Sequence, residues 1–382
     1  MGKIRYLHIV RDDKFTAPVK NVFEKDDTIS SEYIHYCWRK RLRYLDNVPG
    51  VHLYHNKKDF IRCLQHNDYD VLYLHSLHFS VMPFLKYVPS DKIVIWWAWG
   101  GDIYDGQLLG LKSYVHIETL KPITRKVING GISIRRVKNF LTGILFSIPF
   151  AYYRRKTLKR IDYFQPVIDV DYVLMKVFTK FNAQEYYPNN WSNFYTGTET
   201  CEKKDPGGAI LLGNSAAPAN NHLDAWEFIR KDITSDRLVI LPLSYGAMDY
   251  ARKVKEKLND KSHNIRFLDT FVPFEEYSKL IGRCSYAVYG SIRQHAMGNI
   301  YNALRNGLKV FLFSDSYIYK YLVQKGFVVF AIDDVDSESF NNPLSREEQM
   351  KNLEAMKREI IEYREKAKSA MNSIISRVKK EV

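Results

Sequence analysis

Three stretches of this 382-residue sequence place reactive side chains at the ends of strand-like runs. The first, VIWWAWGGDIYDG at 94–106, carries an aromatic run into two glycines and Asp102. A carboxylate there could take the proton of a hydroxyl as its oxygen attacks an electrophilic carbon, such as an anomeric centre. His75, in YLHSLH, could do the same or orient the attacking group. A lone aspartate in a loop also serves as a cap or turn residue, so both roles stay open. The second stretch, LLGNSAAPANNH, passes from an apolar run through Gly213, Asn214 and Ser215 to a helix start near His222. Small residues let backbone amides approach an anion, and a helix start adds partial positive charge, a combination that suits a diphosphate. The alternative is an ordinary loop with an asparagine cap. The third, SIRQHAMGN, repeats the arrangement with Arg293, Gln294, Gly298 and Asn299. Arg293 could hold phosphate in two-pronged fashion, or form a surface ion pair. Tyr245, before Gly246, closes another strand-like run.

The elements that must position these residues alternate. KIRYLHIV, VHLYH, DVLYLHS and KIVIWWAW read as buried strands separated by helix-compatible stretches. After a turn-rich segment at 188–208 the alternation restarts with GAILLG, RLVILPL, IRFLD, YAVYG, KVFLFS and FVVFAI. Near-continuous apolar strands between helices indicate parallel sheets covered on both faces. The expected fold is therefore α/β with two Rossmann-like doubly wound domains, at about 1–190 and 208–344, followed by charged helices over 345–382. In such sheets ligands bind beyond the carboxyl ends of the strands, where all three stretches fall. No GxGxxG follows the first strand and no GxxxxGK[ST] is present, which argues against dinucleotide and P-loop enzymes.

The net charge of +14 is concentrated. Lys121 to Arg160 holds eleven basic residues and no acidic one, while the remainder has 46 basic against 43 acidic. Within this segment the apolar run from Phe140 to Tyr153 would span roughly 21 Å as a helix, short of a bilayer core of roughly 30 Å. Cations flank it on both sides. The pattern points to docking at a membrane surface, with Phe140 and Phe146 entering the acyl boundary. Arg135, Arg136, Lys138, Arg154, Arg155 and Lys156 would then meet anionic head groups. A core helix pair with solvated ends, or a nucleic-acid patch, are the alternatives; the apolar centre disfavours nucleic acid as a partner. The four cysteines are widely spaced, which suggests neither a zinc site nor a disulfide framework. The N-terminus reads directly into a strand with no secretory pattern, so a cytosolic location is expected.

Taken together, WAWGGDIY, ILLGNSAAPANNH, ILPLSYG and the stretch through YGSIRQHAMGN to LRNG resemble glycosyltransferase family 56. This is the bacterial family that adds 4-acetamido-4,6-dideoxygalactose (Fuc4NAc) during enterobacterial common antigen assembly. The likeness runs in order over about 70–105 and 208–330. It implies a GT-B architecture, with the two domains facing a cleft, and transfer from a dTDP-sugar without a metal or other cofactor. It implies an undecaprenyl-pyrophosphate-linked oligosaccharide as acceptor, at the cytoplasmic face of the inner membrane, with the enzyme held there peripherally. On this reading Asp102 or His75 is the base, and Trp99, Gly100, Gly101 and Tyr104 line the acceptor side. Gly213, Asn214, Ser215, His222, Tyr245, Arg293, Gln294, Gly298 and Asn299 hold the donor nucleotide. The same fold with a UDP- or GDP-sugar, or a non-catalytic two-domain binding protein, are the competing expectations.

Overall fold

The computed structural model describes residues 2–37, 42–78, 80–104, 114–115, 117–130, 152–188, 204–259, 262–270 and 272–380. They fall into two compact units. The first comprises Met1–His116, Ser133–Phe194 and Ile361–Val382, and the second Ile117–Ile132 and Tyr195–Ile360.

The first unit is built on seven strands: β1 (Ile4–Ile9), β2 (Ile29–Tyr36), β3 (Val51–Tyr54), β4 (Val71–His75), β5 (Ile93–Trp97), β6 (Tyr163–Gln165) and β7 (Gln184–Glu185). They lie in the order β3-β2-β1-β4-β5-β6-β7, and every pair is parallel. All residues of β4 and β5 are buried, as continuous apolar runs require when both sheet faces are covered. Trp96 and Trp97 are fully buried. The helices are α1 (Thr16–Phe23), α2 (Lys57–His66), α3 (Gly101–Tyr104), and, beyond α4 (Pro122–Asn129), residues 152–160 as α5 and α6 (Asp169–Phe178). In α2 the buried face is Phe60, Cys63 and Leu64, one side of a helical turn, and Asn56 caps the start by accepting from the Lys58 amide. The strand order reverses between β1 and β4, the position where such sheets leave a crevice.

The second unit has six strands: β8 (Ala209–Leu212), β9 (Val239–Pro242), β10 (Ile265–Leu268), β11 (Cys284–Tyr289), β12 (Lys309–Leu312) and β13 (Phe330–Ala331). Their order is β10-β9-β8-β11-β12-β13, again all parallel, with the reversal between β8 and β11. The helices are α7 (His222–Ile229), α8 (Met248–Leu258), α9 (Phe274–Gly282), α10 (Met297–Arg305), α11 (Tyr317–Gln324) and the long α12 (Arg346–Lys380).

Two assignments differ from the sequence expectation of 1–190, 208–344 and 345–382. Helix α4 groups with the second unit, because the Asp224 carboxylate caps it by accepting from the amides of Ile123 and Thr124, both at 2.8 Å. The end of α12 groups with the first unit: Arg377 donates to Asp162 at 2.7 Å and Lys366 pairs with Asp169.

Candidate active site

At the strand ends of the first unit, Asp102 is a fastener. Its Oδ2 accepts from Trp96 Nε1 at 2.8 Å and from the Leu77 amide at 3.0 Å, and its Oδ1 from the Trp99 amide at 2.9 Å. The residue is 7% exposed. Three accepted hydrogen bonds tie the loop after β4 to the loop after β5 through this carboxylate. Gly100, with φ +85°, makes the sharp turn that brings the carboxylate back onto those donors, and Gly101 is exposed beside it. His75 is equally interior. Its Nε2 lies 3.0 Å from His8 Nδ1, and His8 Nε2 lies 3.1 Å from Ser31 Oγ. Burial among Phe23, Tyr73 and Trp97 pushes His75 down to about 3, so the ring is neutral at pH 7 and a weak base. Tyr104, expected at an acceptor surface, is buried and donates to Asp171, whose other oxygen accepts from the amides that open α6. The Trp99 ring stacks on Phe15 at 5.3 Å and packs on Trp97 at 4.2 Å, and Phe15 is 43% exposed. An aromatic wall of this kind suits a sugar face.

Three polar residues that the sequence reading passed over, Arg11, Asp12 and His35, lie at the same strand ends as His78 of YLHSLH. Arg11 donates to Ser76 Oγ at 3.2 Å. Asp12 accepts from the amides of Arg43, Tyr44 and Leu45; although burial raises it, these bonds hold it below the usual carboxylate value. His35, at the end of β2, lies with Nδ1 2.8 Å from the Val10 carbonyl. His78 follows β4, and burial lowers it to about 4. Their signal was position: Arg11 and Asp12 follow β1 directly, and β1 borders the strand reversal.

The second unit gathers its expected residues around the other reversal. Gly213, with φ +72°, bonds its amide to the Val288 carbonyl at 2.8 Å, and a Cβ there would lie 2.3 Å from His222 Nε2. Gly290 is equally required, since its Cβ would meet the Asn220 carbonyl at 2.4 Å. Asn221, in the left-handed region at φ 46°, locks the two loops together by donating to the Gly290 carbonyl at 2.8 Å. Asn214 donates to the Tyr245 hydroxyl at 3.3 Å, Asn220 donates to the Ser215 carbonyl at 2.8 Å, and Arg293 is 4% exposed. Within this frame, among the described residues, Asn214 Oδ1, Asn220 Oδ1, His222 Nε2, Ser291 Oγ, Gln294 Oε1 and His295 Nε2 are buried with no hydrogen-bond partner. Each such group costs about 1–3 kcal/mol unless something satisfies it. Six of them gather after two neighbouring strands. Burial lowers His222 and His295 each to about 3, so both rings are neutral hydrogen-bonding groups. Gly298 lies in the first turn of α10, is exposed, and has open space where a Cβ would stand. Asn299 is held there by its amide on the Ala296 carbonyl at 2.8 Å. His295 and Ser291 were not expected from the sequence, although both lie inside SIRQHAMGN.

Arg135, Arg136, Lys138, Phe140 and Phe146 lie outside the described residues. In α5, Arg155 and Lys156 are exposed beside Tyr152, which is 54% exposed. Arg154 turns inward, its guanidinium 4.2 Å from the Tyr114 ring centre. Among the described residues no helix is long and apolar enough to cross a membrane, and no group of three or more His, Cys, Asp or Glu could hold a metal ion.

Solved glycosyltransferase structures share this architecture. HepE from Anabaena, in complex with UDP and glucose, is 10% identical with a TM-score of 0.59, covering 97% of this chain and 100% of that one. The trehalose 6-phosphate synthase of Burkholderia multivorans is 8% identical with a TM-score of 0.57, covering 98% and 97%. WaaG, a glycosyltransferase of lipopolysaccharide biosynthesis, is 11% identical with a TM-score of 0.52, covering 97% and 99%. At these identities the likeness establishes the fold, the GT-B architecture of two Rossmann-like domains. The family described as 4-alpha-L-fucosyltransferase, glycosyl transferase group 56, matches residues 144–371, which include both loops around the β8–β11 reversal. The chain therefore belongs to glycosyltransferase family 56 and is a glycosyltransferase.

Proposed function

We propose that the protein transfers Fuc4NAc from its dTDP conjugate onto an undecaprenyl-pyrophosphate-linked oligosaccharide during assembly of a bacterial surface polysaccharide. The observation that carries this reading is the cluster of unpartnered buried polar atoms after β8 and β11. The base N–H and ribose hydroxyl of a nucleoside diphosphate could donate to the amide oxygens of Asn214, Asn220 and Gln294, and its phosphate oxygens could accept from Ser291 and a histidine N–H. In the reaction, an acceptor hydroxyl oxygen forms a bond to the anomeric carbon. The bond from that carbon to the β-phosphate oxygen breaks, and its electron pair leaves with dTDP. Arg293 and the amides opening α10 stabilise the developing negative charge, with no metal invoked. The exposed Tyr152, Arg155 and Lys156 support a peripheral position on anionic lipid at the cytoplasmic face of the inner membrane, where such an acceptor is displayed.

The test is to incubate the purified full chain with dTDP-Fuc4NAc and the lipid-linked acceptor and read the product by mass spectrometry. Addition of one sugar from the dTDP donor is expected. Because HepE was solved with UDP and glucose, UDP-sugars are the rival donors to run alongside. Transfer from a UDP- or GDP-sugar alone would overturn the donor assignment, and no transfer from any of them would overturn the reading as a whole.

A further inference from the structure

A cavity of about 460 Å³ opens within the first unit at the amino ends of β6 and β7. Its polar lining is Lys159 from α5, Lys180 and Asn182 from the chain after α6, Gln184 at the start of β7, Arg377 from α12, and Asp162 just before β6. The strands are parallel, and Asp102 and Trp99 follow the carboxyl end of β5. The cavity therefore lies at the opposite end of the sheet from them.

We propose that this cavity holds the phosphate of an anionic phospholipid, with the exposed faces of α5 and α6 resting on the membrane surface beside it. The inference rests on the peripheral placement proposed above and adds the site that takes the lipid.

Charge is the first support. Three cations in the lining, Lys159, Lys180 and Arg377, meet one carboxylate. That carboxylate is already engaged: Asp162 accepts from the Val94 amide at 2.8 Å, from Arg160 at 3.0 Å and from Arg377 at 2.7 Å. Neither 152–160 nor 172–182 contains an acidic residue. Lys159 and Lys180 are both exposed, and an ammonium offers three donors to phosphate oxygens.

The second support is what surrounds the cavity. In α5, Tyr152, Arg155, Lys156 and Lys159 recur every third or fourth position, and all four are exposed. In α6, Val173, Lys176 and Val177 recur in the same way, with Phe178 beside them. Val177 is 71% exposed, while Leu174 and Met175 make the packing contacts of this helix. Exposed valines gain no burial in the fold, and their branched side chains disfavour a helix slightly. Against a membrane they enter the boundary between head groups and acyl chains, and the neighbouring lysines meet the head groups. Both faces end at the cavity, one through Lys159 and the other through Lys180. A lysine at a helix end also complements the helix dipole, but that role does not call for Val173, Val177 and Phe178.

The experiment is flotation of the full-length protein, without nucleotide-sugar, on vesicles of phosphatidylcholine alone and of phosphatidylcholine with roughly one third phosphatidylglycerol. Binding to the mixed vesicles only is expected. Lys159→Glu with Lys180→Glu should weaken it roughly tenfold or more, and Val177→Asp roughly threefold or more, each with an unchanged thermal melt. Lys57→Glu with Lys58→Glu, on exposed residues of α2, changes net charge by the same amount and should weaken it less than about twofold. Equal losses in the two double variants would show a response to net charge alone and overturn the site. A lowered melt with vesicle binding intact would make Lys159 and Lys180 supports of their helix ends, and would overturn it too while leaving the peripheral placement standing. Absence of vesicle binding by the unaltered protein, or capture by duplex DNA in place of vesicles, would overturn both the site and the placement. Sugar transfer is read separately, so none of these results decides the transferase reading.

Discussion

The strand ends of the two units look alike in sequence and differ in chemistry. In the first unit the most conspicuous polar residues are satisfied: Asp102 accepts three hydrogen bonds, Tyr104 donates to Asp171, and His75 pairs with His8. In the second unit the loops after β8 and β11 leave six buried polar atoms without partners among the described residues. A polar residue after a buried strand is thus not by itself a functional signal. An unclosed buried group destabilises the free protein, so the loops after β8 and β11 carry a cost that the Asp102 tie does not.

Acidification should strain both units and give the largest effect. His75, His222 and His295 are held near 3 by burial, against an ordinary 6.5 in the unfolded chain. The unfolded chain binds more protons below 6.5, so stability is full above that pH and lost as pH falls from there towards 3. By pH 5 each ring forfeits ~2 kcal/mol. A thermal melt that does not fall between pH 7 and 5 would contradict the buried, neutral rings.

Next in size, Asp102→Asn should act on stability. The amide replaces one accepting oxygen with a donor facing other donors, at a cost of about 2–3 kcal/mol read as a lower urea midpoint. Unchanged stability with turnover lost 100-fold would restore Asp102 as the base and break the comparison. Gln294→Met should do the reverse: nucleotide affinity weakens roughly tenfold, while the free protein melts at the same or a higher temperature because a buried unpaired oxygen is removed. A lower melt with unchanged affinity would make Gln294 a fastener too. The smallest effect belongs to Arg155→Glu with Lys156→Glu, which should weaken binding to anionic vesicles several-fold in a flotation assay and leave nucleotide binding unchanged.

The fold was legible because β4, β5, β8, β9 and β11 are short apolar runs between helical stretches, a pattern local enough to read along the chain. The tight packing after β8 was also legible, since Gly213 and the small residues after it signal a close approach within ten positions of His222. The role of Asp102 was not, because one of its three donors, the Leu77 amide, lies 25 positions away. Helix α4 was misplaced for the same reason: its cap, Asp224, is about 100 residues distant.

The central claim is that the loops after β8 and β11 hold the diphosphate of a dTDP-sugar. Calorimetry of the full-length protein with dTDP, UDP and GDP, repeated on Gly213→Ala, tests it most directly. The account predicts selective dTDP binding that Gly213→Ala abolishes, because the added Cβ would lie 2.3 Å from His222 Nε2. Binding that survives this substitution, or no binding to any of the three nucleotides, would contradict it.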